Sequence, residues 1–132
     1  MKLFRFMSAR EAFEYFGGHN LKNNTHHTGR TNSVGFCFFP LDQDEPETAF
    51  RYMQGVVDMD VCIVFEVDDK TLSKMKKGYG VYSSYKEGWK WGDTQELVEY
   101  SITEYNNIDF KPVKVCFGCA KYYYNNKKWS WA

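Results

Sequence analysis

Val61-Cys62-Ile63-Val64-Phe65-Glu66-Val67 is nearly all apolar, and four of its seven residues are β-branched. A run so short and so apolar reads as a strand covered on both faces, not as a half-solvated one. Working outward, Asp68-Asp69 caps a short polar helix from Thr71 to Lys76. On the other side, Pro46 opens a helix whose inward face is Ala49, Phe50 and Met53, ended by Gly55. A strand buried on both sides and bracketed by helical signals sets the class: α+β, with a small mixed or antiparallel sheet and two or three short helices.

The remaining strands follow from the same patterns. Lys2 to Phe6 is a short strand, followed at once by Ser8-Ala9-Arg10-Glu11, a capping box in which Ser8 caps and Glu11 reaches back. Ala9, Ala12, Phe13 and Phe16 fall at helical spacing, and Gly17-Gly18 stops the helix. Residues 19–32 are polar and without period, a long loop. Ser33 to Phe39 is a buried strand ending at Pro40, and Asp42 to Glu47 is an acidic loop. Gly78 to Ser83 reads as a strand, Glu87 to Asp93 as a loop, and Leu97 to Tyr105 as a half-buried strand by alternation. Val113 to Phe117 follows Pro112 as a further strand. Lys121 to Trp131 reads as a hairpin or strand with a basic aromatic tail.

At 132 residues there is room for one core and one domain, residues 1–132, and burial suffices without metal or disulfide staples. Apolar residues are 43% and charged ones 26%, a globular composition, while aromatics reach 19%. Part of that aromatic content belongs in the core and part at binding surfaces. Seventeen basic and seventeen acidic residues cancel, which argues against a dedicated duplex-DNA binder. No apolar run is long enough for a membrane span, and the first residues lack a signal-peptide pattern. The expectation is a soluble cytoplasmic protein whose four cysteines stay reduced.

Phosphate-binding loops, nucleophile elbows and helix-borne zinc pairs are absent from the sequence. Cys116 and Cys119 have the spacing of a zinc or redox pair, but a structural zinc needs two more ligands, from His26, His27, Cys37 or Cys62. Two small buried residues at a strand end is the favoured reading. Arg5 shares a strand face with Leu3 and Met7, so it needs an anionic partner: Glu66 or Glu99 within the protein, or the phosphates of a ligand. Glu96, Glu99 and Glu104 surround the late strand, with Glu99 on its polar face and Glu104 on the opposite one. The Tyr122 to Trp131 segment, with Lys121, Lys127 and Lys128, has the composition of a single-strand stacking platform. A hairpin covering the sheet edge is favoured over it.

The order of these features resembles that of ADP-ribosyltransferase-like domains, including the nucleic-acid-modifying toxins and the RNA 2′-phosphotransferases. The resemblance lies in Arg5 within the first strand, the helix opened by Ser8 with its Gly-Gly stop, Thr31-Asn32-Ser33-Val34-Gly35-Phe36, and Glu99 on a late strand. It implies NAD as cofactor, with Arg5 on its phosphates or ribose and Ser33 supporting the pocket. Phe36 or Tyr52 would stack on nicotinamide. Glu99 would stabilise the oxocarbenium-like charge, with Glu104 as the competing acid, and residues 19–32 would form a lid. Leu97 stands where arginine-modifying members carry an acid or amide, which points to a nucleic-acid or non-arginine protein target. The small size resembles a trimmed toxin or a phage-encoded inhibitor of bacterial defence. The alternative expectation is therefore a non-catalytic inhibitor that binds a host defence protein through an aromatic surface. The transferase reading requires Arg5 and the late-strand carboxylate to meet across one cleft.

Overall fold

The computed structural model describes residues 1–21, 36–41, 46, 49–50, 59–85, 91–102 and 110–132, with backbone alone at 36, 80–85 and 91–96. Six strands form one antiparallel sheet: β1 (Lys2–Met7), β2 (Phe36–Pro40), β3 (Val61–Val67), β4 (Lys76–Tyr85), β5 (Trp91–Ile102) and β6 (Phe110–Phe117), in the order β4-β5-β2-β1-β3-β6. Three short helices accompany it among the described residues: α1 (Ala9–Phe16), α2 (Asp69–Ser73) and α3 (Cys119–Tyr124). The fold is α+β, as the sequence patterns imply. Pro46, Ala49 and Phe50 also carry helical backbone and are buried, within a stretch otherwise outside the described residues.

Each face of the sheet carries its own core. Leu3, Met7, Phe38, Val61, Ile63, Phe65, Val67 and Phe110 pack on one side under Ala12 and Tyr15 of α1. Phe4, Phe6, Phe39, Cys62, Val64, Leu97 and Cys116 pack on the other with Cys119 of α3, Phe50 and Trp129. We call these the α1 face and the α3 face. β3 contributes to both, because alternate residues of a strand point to opposite sides. It lies between β1 and β6, one strand in from the edge.

Four expectations need correction. α1 turns Glu11, Ala12 and Tyr15 inward and leaves Phe13 and Phe16 exposed. α2 begins at Asp69, capped by the Asp68 carboxylate on the Thr71 amide at 2.7 Å, and Lys76 already belongs to β4. Trp91 to Asp93 belong to β5, not to a loop. The segment after Gly118 is helical over Cys119–Tyr124, not a hairpin. Tyr122, Tyr123 and Tyr124 have strand propensity, but Cys119, Tyr122 and Tyr123 reach the α3-face core only from a helix, and packing overrides propensity. Gly118, at φ +70, makes the turn out of β6 that a side chain would strain. Pro112 lies within β6, which it can do because β6 is an edge strand with a bulge opposite Val64 and Phe65.

Candidate functional site

Arg5 is the residue on which the sequence places most weight, and it is fully buried in the centre of β1. Its guanidinium donates to the Glu11 carboxylate at 3.1 and 3.5 Å and to the Cys37 carbonyl at 3.2 Å. The ring of Phe38 lies beneath it, 5.7 Å from centroid to guanidinium carbon. Glu11 is itself buried, in the first turn of α1, where negative charge is favoured by the helix dipole. The partner is therefore neither Glu66 nor Glu99. Glu66 is exposed and holds the Met1 amino group at 3.2 Å. The signal for Glu11 was its position one tight turn after a strand that carries a buried cation. Its reading as a cap residue hid that role.

Glu99 is buried in β5, not on a solvated face. Register places it on the α3 face: β5 pairs Tyr100 with Phe38 and Ser101 with Cys37, while β1 pairs Phe4 with Phe39. Phe38, beside Arg5, belongs to the α1 face, so Tyr100 does too, and Glu99 alternates to the other side with Leu97. Arg5 and Glu99 therefore stand on opposite faces of the sheet. Phe36 opens β2 opposite Ile102, described in its backbone alone. Ser33, Tyr52 and Glu104 lie outside the described residues, as do His26, His27 and most of the residue 19–32 loop.

The sheet parts next to Arg5. The β1–β2 ladder has only the pairs Leu3–Pro40 and Phe4–Phe39, while β1 stays paired with β3 as far as Met7. Beyond Phe4 the strands diverge, and the Arg5 guanidinium spans the gap to the Cys37 carbonyl. Along β5, Val98 pairs with Tyr79 and Tyr100 with Lys77, on the α1 face. On the same face Tyr79 is exposed, with the Lys77 ammonium 6.0 Å from its ring centroid.

The cysteines show no sign of a site. All four are buried and outside any disulfide, and no group of three metal-ligating side chains occurs among the described residues. The Cys119 thiol donates to the Met59 carbonyl at 3.1 Å. Burial, and then the neighbouring Cys116, push its pKa up to about 12. A thiol so hard to ionise is a packing residue, not a nucleophile.

The feature that lacks a structural role is at the surface. Phe13 is 70% exposed, Phe16 49% and Phe117 46%. Phe117 stacks on Phe13 with centroids 6.4 Å apart and lies 6.5 Å from Phe16. Three phenyl rings thus form one ridge where α1 meets the edge of β6. The ion pair explains their position. At about 100° per residue, orienting Glu11 toward Arg5 turns Phe13 and Phe16 roughly 140–200° away, to the outside. No family model, curated protein or solved structure matches the chain.

Proposed function

We propose that the chain is a non-catalytic interaction domain that engages a protein partner through the Phe13–Phe16–Phe117 ridge. The carrying observation is the exposure of three phenyl rings, with Phe117 packed on both Phe13 and Phe16, where the helix meets the strand edge. Aromatic rings held in place lose little entropy on docking, and large exposed apolar clusters mark interaction surfaces. A phage-type inhibitor of a host defence protein is the form that this reading takes. The test is site-specific photo-crosslinking in the producing cell, with a benzophenone side chain at position 13, 16 or 117 and, as control, at exposed Tyr124. One discrete adduct from the ridge, absent from the control and lost with Phe13→Ser elsewhere on the ridge, supports the domain's role. Adducts indistinguishable from the control, or none, remove it.

NAD-dependent ADP-ribosyl transfer is the second reading, favoured by the parting of the sheet at Arg5. It needs an acid other than Glu99: Glu96 or Glu104, the other carboxylates of the late-strand sequence. Millimolar NAD raises the melting temperature if the pocket exists, since a ligand that binds only the folded state stabilises it. Transfer would then be lost in Glu96→Gln or Glu104→Gln and kept in Glu99→Gln. No thermal shift with NAD, or loss of transfer only in Glu99→Gln, ends this reading.

A further inference from the structure

From Phe110 to Ala132 there are five lysines and no acidic residue, in a chain whose charges balance overall. The rest of the molecule is correspondingly acidic. All five (Lys111, Lys114, Lys121, Lys127 and Lys128) are exposed, and among the described residues none is ion-paired. Strand register fixes the position of two of them. Lys111 pairs across strands with Glu66 and Lys114 with Val64, so both stand on the α3 face at the β6 edge. After α3 the chain returns to that edge, where Ala132 and Val115 exchange backbone hydrogen bonds at 2.8 and 3.4 Å. Trp131 is thereby held half-buried against the core, with the Lys114 ammonium 6.0 Å from its ring centroid. Tyr124, at the end of α3, is 66% exposed. Lys2, opposite Glu66 on β1, extends the basic ledge inward.

We infer that this edge of the α3 face binds single-stranded nucleic acid. Exposed lysines stand beside exposed Tyr124 and half-buried Trp131, a pairing of cations and rings that suits a phosphate backbone with stacked bases. The charge complement requires a polyanion. α3, at six residues, is too short to enter a duplex groove or to lie in a membrane surface. Glu66, the acid opposite Lys2 and Lys111 in the sheet, is engaged with the Met1 amino group, which limits its repulsion of phosphate. The ledge is independent of the phenyl ridge, which is on the α1 side of the same edge.

The experiment is an anisotropy titration of the full chain with a labelled 20-nucleotide single strand. A duplex of equal length and a poly-glutamate peptide are the competitors. Single-strand binding is expected at 50 mM salt, weakening about a hundredfold by 200 mM if about five phosphates are neutralised. Lys111→Ala/Lys114→Ala/Lys128→Ala lowers the log–log salt slope by about 2. Trp131→Leu weakens binding several-fold with the slope unchanged, its melting curve checking that the fold holds. Lys70→Ala/Lys74→Ala, on α2 and its C-cap, leaves the affinity as it was. Absence of binding at 50 mM salt overturns the inference. Equal competition by duplex or poly-glutamate overturns it too, as does an equal loss in the α2 variant.

Discussion

Removing one half of the Arg5–Glu11 pair takes from the other, a buried charge, the counter-ion 3.1 Å away, and this governs what substitutions do there. Glu11→Ala is expected to cost about 3–5 kcal/mol, while the double replacement Arg5→Met/Glu11→Leu recovers most of it. Denaturant unfolding of the three proteins measures both; a double variant as unstable as the single one would contradict the account. Cys119 gives a pH prediction of definite sign. Its folded pKa of about 12 lies above the ordinary 9.0, so above pH 9 the native state holds a proton that the unfolded chain releases. The stabilisation is complete below pH 9 and is lost as pH rises toward 12. Stability of the wild type should fall more steeply across that window than that of Cys119→Ala, and parallel curves would exclude it. The face of Arg5 was legible from alternation with Leu3 and Met7. Its partner was not, because the rotation of α1 is set by the ion pair itself. Glu99 was misread for a related reason: alternation says which residues share a face, not which faces are buried.

At the scale of elements, α1 is the part whose placement has the widest effect. Ser8 accepts from the Glu11 amide at 3.1 Å, and Tyr15 donates its hydroxyl to the Phe110 carbonyl at 3.2 Å, so the helix is pinned at both ends. Ser8→Ala should destabilise the protein by about 1 kcal/mol, as loss of a side-chain cap does; a melting temperature unchanged from wild type would show that Arg5 alone fixes the helix. The start of α1 was readable because caps are local chemistry. Its inward face was not, since Phe13 and Phe16 satisfy the helical period as well as Ala12 and Tyr15 do. α3 was misread for the opposite reason. Nothing local in three consecutive tyrosines favours a helix, and only the core of the α3 face decides their state.

Across the whole molecule, the C-terminal tail closes the core. Trp129 is buried, 5.7 Å from the ring of Phe50 and 6.2 Å from that of Phe6. Trp129→Ala should cost about 3–5 kcal/mol, and Trp131→Ala less, because its ring is only partly buried. Urea unfolding that ranks the two equally would show that the tail acts only as a tether. The class of fold could be read from Val61–Val67 and its neighbours, whereas the strand order could not, because β1 pairs with strands far along the chain. That order has a kinetic consequence. β1 is flanked by β2 and β3, and its long ladder waits for residues some 60 positions later in the sequence. A nascent chain must therefore carry Leu3, Phe4 and Phe6 unsheathed until β3 has been synthesised. Refolding should be governed by closure of that wide loop, in the slower range typical of non-local sheets.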